Sequence, residues 1–549
     1  MAGVRGYAVG VDFGTSTSLV AKRAGRKPVE IVPLGRARSW FPSVAGYRGE
    51  ELLVGEDAED LPGSHVIRSI KRAITENSEV VSIAGPDGPP EVRANDVIVA
   101  VLSEIADRAA AAGQPLTDQY NVRLGCPAMW DGIQRKRLLG LASKAGLPVC
   151  DSDVIDEPIA AGVAWVSHRY FAYGERPEGR LLVFDMGGGT LDIAVLDVVG
   201  GEKPEISVLA ALGAPMAGDT LDSVVAAELA TELDRRGHAL PGLEHPELAE
   251  ALVLRAARQT KVSLSRVHEH RIVLPAQIGR LPTLSYTRDQ LEEAFRTQMD
   301  QADELVWAAL RAARLTERGK ASTGALVKLG PAELRDDIAF VLLAGGMSRI
   351  PYVERRIGAL FPSAEVFDHA GVAADETIVA GLADTAGYDR LNLHRPGFDF
   401  VLEWEEGGQQ HQSTLYAAHT PLYQPWEAMT GRFNLGFERR GADFPGSRTG
   451  VGLLRARSTS GDNLGLTFEG DAKAGIQVKF GSREMLFKLY CDGQILVRDG
   501  AGGTIHLRMD KWPVIRGRDH DQLMLQRVVG EALPPPTAWY LEKEWAPPV

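Results

Sequence analysis

The chain has 549 residues, more than a single hydrophobic core usually organises, so we expect several domains. Its net charge of −13 and its lack of a basic cluster argue against nucleic acid as a partner. Three widely spaced cysteines, the lack of a recognisable signal peptide and the lack of an apolar stretch long enough to cross a bilayer predict a cytoplasmic protein without a membrane partner.

Two glycine-rich turns lie far apart in the sequence, and short apolar runs flank each of them. The first covers residues 12–18 and reads Asp-Phe-Gly-Thr-Ser-Thr-Ser; the second covers 185–192 and reads Asp-Met-Gly-Gly-Gly-Thr-Leu-Asp. The flanking runs predict a strand, a tight turn and a second strand at both places. Glycines let backbone N–H groups approach an anion, and the hydroxyls of Thr15, Ser16 and Thr190 add donors.

An aspartate opens each turn, Asp12 in the first and Asp185 in the second, and it would repel a phosphate unless a divalent cation lay between them. One such turn alone is more typical of an ordinary hairpin, but three consecutive glycines are hard to explain by packing. The pair therefore predicts two turns that hold one metal polyphosphate from both sides. The glycines expected to face the phosphates are Gly14, Gly187, Gly188 and Gly189.

Strand-like and helix-like segments alternate as far as about residue 388, which predicts an α/β architecture. Strands are expected at 29–32, 121–126, 149–155, 181–184, 206–211, 271–274 and 338–343. Helices are expected at 66–75, 95–112, 132–145, 157–166, 221–236, 245–265, 289–315, 351–360 and 375–386.

Glu157 opens one of the predicted helices, with Pro158 in its first turn. A carboxylate at a helix start is a favourable charge and by itself needs no function. Beside two phosphate turns, we interpret Glu157 as a base, or a positioner, for water that attacks a phosphate.

Later segments predict contacts to the nucleoside part of a ligand. A loop that opens a helix is a natural anion site, a Lys and a Ser spaced i, i+4 could bind a ribose, and a glycine pair followed by an arginine could lie against an adenine. Each segment alone is as typical of a solvent-exposed turn or helix face without a ligand as it is of a binding site. The residues are Gly218, Lys261, Ser265, Gly345, Gly346 and Arg349.

The character of the sequence changes after residue 388. Residues 389–397 predict a linker, and residues 398–512 show short alternating runs broken by Gly, Asp and Asn, which predict a β-sandwich. Residues 513–549 predict an extended, proline-rich tail.

Taken together, these motifs resemble the seventy-kilodalton heat-shock chaperones (DnaK-like) of the actin-like ATPase superfamily, over about residues 6–387. The matching segments include two phosphate motifs, a connecting motif and an adenosine motif, at 11–16, 184–192, 155–161 and 343–351. The resemblance implies a two-lobed actin-like (ribonuclease H-like) ATPase domain at 1–388, followed by an all-β sandwich-like domain that lacks the family's long helical lid.

The resemblance also implies an activity: slow hydrolysis of ATP to ADP, with Mg²⁺ as the second cofactor. Asp12 and Asp185 would hold Mg²⁺ through water, and Lys71 and Glu157 would align and activate the attacking water. The implied catalytic residues are Asp12, Lys71, Glu157, Asp185 and Thr190, and Asp375 joins the nucleotide-binding residues named above. The β-domain would bind an extended polypeptide client or protein partner, with a J-domain co-chaperone and a nucleotide exchange factor as further partners.

The chain departs from the family pattern at three positions. Thr17 stands where the first motif has an aromatic residue, and Arg258 stands where a glutamate usually faces the adenosine. Met347 stands where the adenosine motif has a small residue. Three alternatives stay open: an actin-like filament protein, a phosphotransferase of the sugar-kinase branch, and a nucleotide sensor that does not hydrolyse.

Overall fold

The computed structural model describes residues 7–25, 27–61, 66–82, 91–150, 153–200, 204–314, 329–384, 395–422, 427, 436–441, 444, 449–458, 461–468, 471–490, 494–511, 515–516, 519–520 and 523–527. The linker expected at 389–397 is therefore described only from residue 395 onward. Apart from three two- to five-residue strands, the tail expected at 513–549 lies outside the described residues.

Strands and helices alternate through the first two thirds of the described chain, as the sequence predicts. The strands are β1 Tyr7–Phe13, β2 Thr17–Ala24, β3 Glu30–Val32, β4 Phe41–Pro42, β5 Ala45–Arg48, β6 Glu51–Val54, β7 Val66–Ile67, β8 Val80–Ser82, β9 Glu91–Arg93, β10 Asn121–Cys126, β11 Val154–Asp156, β12 Gly179–Met186, β13 Leu191–Val199, β14 Glu205–Ala214, β15 Glu269–Ile272, β16 Leu284–Thr287, β17 Ile338–Ala344 and β18 Glu365–Phe367. The helices are α1 Glu56–Glu59, α2 Arg72–Thr75, α3 Ala94–Ala111, α4 Gly132–Lys144, α5 Glu157–Tyr173, α6 Gly218–Arg235, α7 Pro246–Leu264, α8 Arg288–Arg314, α9 Pro331–Arg335, α10 Pro351–Leu360 and α11 Thr377–Asp384.

Two sheets form the cores of two lobes, and their strands follow the same order. The first runs β3-β2-β1-β10-β11 and the second runs β14-β13-β12-β17-β18. In each sheet the central strand, β1 or β12, pairs antiparallel with the next strand in sequence and parallel with a later one. Each glycine-rich turn connects the central strand to its antiparallel neighbour, at the carboxyl end of that central strand. Ligands of α/β sheets bind outside this end, so the topology places the two turns at corresponding ends of their sheets.

Two helices cross between the lobes and join them. α5 follows β11 of the first sheet but packs on β12 and β13 of the second, whereas α11 follows β18 of the second sheet and packs on β1 and β2 of the first. Small residues allow the close contact: Gly381 of α11 lies against the backbone of Ala160 in α5, and a β-carbon built on Gly10 would lie 2.6 Å from the carbonyl oxygen of Val379. The lobes therefore meet through tightly packed backbones.

The helix predicted at 66–75 is wrong. The chain instead forms β7, an irregular turn and the short helix α2, and Ser69 adopts a left-handed conformation with φ of +54° that an α-helix cannot contain. Lys71 precedes α2, and its buried side chain is not part of a solvated helix face. The other predicted helices form, with ends shifted by a few residues and α5 extended to Tyr173.

The C-terminal region is β-rich, as expected. Its strands are β19 Phe398–Glu406, β20 Gln409–Tyr416, β21 Gly436–Arg440, β22 Val451–Ser458, β23 Leu466–Phe468, β24 Asp471–Lys473, β25 Ile476–Lys479, β26 Leu486–Tyr490, β27 Gln494–Arg498, β28 Thr504–Lys511, β29 Ile515–Arg516, β30 Asp519–His520 and β31 Leu523–Arg527. Two main sheets form, ordered β20-β19-β22-β25 and β21-β26-β27-β28-β31-β23-β24. Buried aromatic side chains join them, and the rings of Phe400 and Phe487 lie 5.5 Å apart between centroids.

None of the helices in the described ranges combines the length and the apolar character that crossing a bilayer requires.

Replacement of Gly381 by alanine should weaken the junction between the lobes. The added methyl group meets the rigid backbone of Ala160, so we expect a loss of about 1–3 kcal/mol in the free energy of unfolding. The matched control is Gly140→Ala, in the middle of α4, where no heavy atom lies within 4 Å of the added carbon. That variant should gain about 0.5–1 kcal/mol. Thermal denaturation compares the two; equal melting temperatures would contradict the close crossing.

Candidate functional site

Four carboxylates lie buried near the ends of the two central strands. Asp12, Glu157, Asp185 and Asp192 are each no more than 5% exposed. Asp185 and Asp192 are direct partners in the β12–β13 ladder, and Glu157 begins α5 where that helix crosses between the lobes. Burial of several like charges is unfavourable without a compensating cation. The arrangement therefore points to a positively charged partner within the cluster.

Lys71 supplies one such charge. Its Nζ donates to Glu157 Oε1 at 2.5 Å, and the side chain is only 4% exposed. The ammonium also lies 5.7 Å from the centre of the Trp130 ring, which shields it from solvent. Burial alone would lower the pKa of Lys71, but the charges of Glu157 and Asp12 outweigh it and raise that pKa. Lys71 is therefore held as a cation.

One lysine does not neutralise four carboxyl groups, and the raised pKa values of the carboxyl groups show that positive charge is lacking. Burial and then the charge of Glu157 raise the pKa of Asp12 to about 7, and the same two causes raise the pKa of Asp192 to about 7. For Asp185, burial and the charges of Glu157, Asp192 and Asp12 raise the pKa well above its usual range. The protein alone therefore leaves the cluster short of positive charge near neutral pH.

The two glycine-rich turns face each other in direct contact. A β-carbon built on Gly188 would lie 2.6 Å from Ser16 Oγ, and one on Gly189 would lie 2.8 Å from Thr15 Oγ1. The second turn is closed by a hydrogen bond from Gly187 N to Thr190 O at 3.0 Å. Hydroxyls of one turn thus lie against backbone of the other, as the sequence predicts for a site built from both. Gly14 joins β1 to this first turn.

A third segment, at the start of α6, is hydrogen-bonded to the second turn. Gly218 N donates to Gly187 O at 3.2 Å, and Asp219 N donates to Gly188 O at 2.7 Å. Lys261 Nζ of α7 donates to Gly218 O at 3.0 Å and pairs with Asp222 at 2.8 Å. Gly218 and Lys261 therefore lie beside the second glycine-rich turn, on the second lobe.

The remaining residues that the sequence predicts to contact a nucleoside lie partly against the carboxylate cluster and partly at the surface. Gly345 adopts φ of +78°, and a β-carbon there would lie 2.6 Å from Asp185 Oδ1, so this glycine contacts the carboxylate cluster. Gly346 begins the 3-10 turn that carries Arg349, and Arg349 forms an ion pair with Asp375 at the surface. Ser265 donates to the carbonyl of Lys261 at 3.3 Å, at the carboxyl end of α7.

The structure shows which side chains surround two of the three residues that depart from the family pattern. Arg258 pairs with Asp222 at 3.2 Å and with Asp219 at 3.6 Å, so a cation stands one helical turn before Lys261. Met347 is buried, and its sulfur would lie 3.3 Å from a β-carbon on Gly218. Thr17 begins β2, and its side chain is partly buried.

The sequence motifs assigned no role to two residues of the site. Asp192 is the last residue of the second glycine-rich motif and accepts a hydrogen bond from Ala128 N at 2.7 Å; its place opposite Asp185 across the turn is the signal that could have identified it. Asp222 forms ion pairs with both Lys261 and Arg258 of the next helix. Only the packing of α6 on α7 brings these three together, so the sequence carried no signal for it.

The surroundings of the carboxylates fit a hydrated divalent cation. Asp185 Oδ1 is buried and has no hydrogen-bond donor among the described residues. No group of three or more His, Cys, Asp or Glu side chains within the described ranges is arranged to ligate a metal directly. Unpaired carboxylate oxygens of this kind are suitable ligands for Mg²⁺ or for its bound water.

Comparison with known proteins agrees with the two-lobed architecture and the glycine turns. The family model described as Hsp70 protein matches residues 8–390, well over half of the chain. The chain belongs to the Hsp70 family. Within this family fold, an N-terminal actin-like ATPase domain precedes a β-rich C-terminal region.

Curated Hsp70 relatives are distant and longer. The chaperone protein DnaK of Thermosipho africanus (strain TCF52B) is 27% identical over 443 residues, which cover 79% of this chain and 65% of the relative. The chaperone protein DnaK of Mycoplasmoides gallisepticum is 27% identical over 397 residues, which cover 70% of this chain and 61% of the relative. This Hsp70 chain thus spans less than two thirds of the length of either relative.

The stability of the ligand-free protein should fall as pH rises from about 4 to about 7. Asp12 has a folded pKa of about 7 against an ordinary value of 3.8, so over this interval the folded state binds more protons than the unfolded state. The difference of about three units corresponds to on the order of 4 kcal/mol. Asp12→Asn should remove the share of this fall that Asp12 contributes, while Asp192 keeps its own share.

Melting temperatures at pH 5 and pH 8 measure the effect. The control is Asp57→Asn, an exposed carboxylate paired with Arg36. If Asp12→Asn and wild type lose the same amount of stability between the two pH values, Asp12 does not carry the buried charge.

Proposed function

We propose that this protein binds and slowly hydrolyses ATP and couples its nucleotide state to the binding of an extended polypeptide or protein partner. The observation that supports it best is the buried carboxylate cluster with its single lysine, enclosed by two glycine turns in contact. Such a site is short of cations and rich in backbone donors, which matches a magnesium polyphosphate.

Asp12 and Asp185 are the residues that would hold Mg²⁺ through water. When bound, Mg²⁺ would neutralise the charge between the carboxylates and the phosphates. The chain itself supplies the rest of the cradle: the backbone of Gly14 and Gly187 to Gly189, and the hydroxyls of Thr15, Ser16 and Thr190.

Glu157 and Lys71 are the groups placed to act on water. Glu157 is fixed by Lys71, and a β-carbon on Gly125 would lie 3.3 Å from Glu157 Cγ, so the missing side chain at Gly125 leaves room for the carboxylate. In this proposal Glu157 orients the attacking water and the Lys71 ammonium stabilises charge that develops on the phosphate. Catalysis then rests on positioning and charge, as expected for phosphoryl transfer.

Gly218, Lys261 and Ser265 would hold the ribose, and Gly345, Gly346, Arg349 and Asp375 would border the adenine. The Arg349–Asp375 ion pair would have to break, or its guanidinium would have to rotate, for the guanidinium to lie against a base. Base preference therefore depends on this exposed pair.

Coupling to the β-domain is supported by its contact with α4. Lys136 Nζ of α4 pairs with Asp399 Oδ2 at 2.9 Å, and Asp399 Oδ1 accepts from Ala418 N at 2.7 Å. The carbonyl of Ala418 packs against Gly132 at the start of α4. A buried loop of the β-domain thus rests on a helix of the first lobe.

The same helix reaches the carboxylate cluster. Arg135, next to Lys136, forms a buried ion pair with Asp156, and Asp156 directly precedes Glu157. His419 of the docked loop is partly buried, and desolvation followed by the charges of Arg135, Arg395 and Lys136 holds its pKa well below the usual range. In this proposal, movement of the docked loop would act on α4, and the Arg135–Asp156 ion pair would pass the shift to Glu157.

Further partners and location stay predictions. A J-domain co-chaperone and a nucleotide exchange factor are expected from the family, as is a cytoplasmic location. The β-domain would present its strand edges to an extended client.

Lys71→Ala should reduce ATP turnover about 100-fold or more, because the charge facing the developing phosphate anion is lost. Thr190→Ala should cost about tenfold, the loss of one donor to a charged group. Lys22→Ala removes an ammonium paired with Glu30 at the edge of the first sheet and is the matched control. Phosphate release from purified protein measures all three; an unchanged rate in Lys71→Ala would remove that residue from the mechanism.

Lys136→Ala should leave basal turnover unchanged but weaken its response to an unfolded peptide, because the docked loop loses its ion pair. Lys144→Ala, on the last turn of the same helix and exposed, is the control. Phosphate release with and without peptide gives the ratio for each variant. Equal stimulation in Lys136→Ala and wild type would argue against coupling through this contact.

A further inference from the structure

A polar cavity of about 350 Å³ lies between the lobes, outside the carboxylate cluster. Residues between positions 68 and 81 line it from the first lobe, and residues of α6 and α7 line it from the second. The charged side chains that line it are Arg68, Arg72, Glu76, Asp219 and Arg258.

Each carboxylate of this cavity has a cationic partner, and Asp219 Oδ2 is buried without a hydrogen-bond donor among the described residues. Arg72 pairs with Glu76 at 2.6 Å, and Arg258 pairs with Asp219 at 3.6 Å. Arg68 makes no ion pair or hydrogen bond among the described residues. Burial, then the charges of Arg258 and Arg255, lower the pKa of Arg68, with Glu59 acting in the opposite direction. A half-buried guanidinium thus faces further guanidinium groups across the cavity, and no carboxylate of the described residues forms an ion pair with it.

Backbone geometry holds Arg68 in this place. Ser69 takes its left-handed conformation immediately after Arg68, a strained geometry for a residue with a side chain. The turn sends Arg68 toward the cavity and Lys71, three residues on, toward Glu157. The hydroxyls of Ser69, Ser78 and Ser223 add possible donors to the lining.

We infer that this cavity binds a phosphate group that bridges the two lobes between Arg68 and Arg258. Guanidinium groups on opposite walls suit a tetrahedral dianion, which offers oxygens in both directions, better than a planar carboxylate. The cavity volume is that of a small-molecule site. The phosphate has two possible sources, free orthophosphate or a phosphate ester on the ribose of a bound nucleotide.

The ribose source rests on the proposed function. Arg258 stands one helical turn from Lys261, and both pair with Asp222, so a nucleoside held against Lys261 would bring its ribose near Arg258. An arginine at a ribose selects for a ribose phosphate, in the way that an acidic residue selects for free hydroxyls.

Calorimetric titration of the full chain separates the sources. One arm titrates orthophosphate alone; the other compares adenosine 2′,5′-bisphosphate and adenosine 3′,5′-bisphosphate with AMP and with ADP. We expect orthophosphate binding, or a bisphosphate that binds at least about tenfold more tightly than AMP. Arg68→Gln should abolish whichever effect is seen, since Arg68 has no partner in the described structure to disturb. Arg235→Gln, an exposed residue of α6 paired with Glu232, should keep it.

The outcomes are distinct. If AMP and ADP bind but neither bisphosphate gains affinity and orthophosphate does not bind, the cavity inference is wrong and the proposed function stands. If AMP and ADP do not bind, the proposed function fails, and orthophosphate binding that Arg68→Gln abolishes would still support the cavity. Binding that survives in Arg68→Gln overturns the inference.

Discussion

Four buried carboxyl groups face one buried ammonium, and the rest of the nucleotide domain is arranged around this imbalance. Taking carboxylates out of water is costly, and Lys71 offsets only part of that cost. The remainder appears in the carboxyl groups themselves, since the pKa values of Asp12 and Asp192 rise to about 7; in the proposed function a ligand that carries cations would complete the site. A cleft that is electrostatically incomplete when empty has a built-in reason to close around its ligand, since binding and relief of repulsion are the same event.

The repeated strand order explains how the carboxylates come together. Each sheet places an aspartate near the carboxyl end of its central strand, followed by a glycine-rich turn into an antiparallel neighbour. α5 follows the last strand of the first sheet but packs on the second sheet, and α11 follows the last strand of the second sheet but packs on the first. Because this crossing is held by glycine and alanine backbones, a change in the angle between lobes would be transmitted to Glu157 at the start of α5.

The sequence predicts the local parts of this site well and the tertiary parts poorly. The turns at 12–18 and 185–192 follow from glycine and from the flanking apolar runs, which are local properties. By contrast, nothing local separates Lys71 from Arg72: the first is buried against Glu157 and the second is an exposed partner of Glu76. The left-handed Ser69 that ends the expected helix there depends on its surroundings. Asp192 and Asp222 likewise acquire their roles from elements that meet only after folding.

In the proposed function, both glycine turns and both opening aspartates enclose one magnesium polyphosphate. A crystal structure of the full chain with Mg²⁺ and a non-hydrolysable ATP analogue tests this arrangement. We expect phosphates between residues 14–16 and 187–190, with hydrated Mg²⁺ facing Asp12 and Asp185. Phosphates bound elsewhere, or either aspartate turned away from the metal, would contradict it.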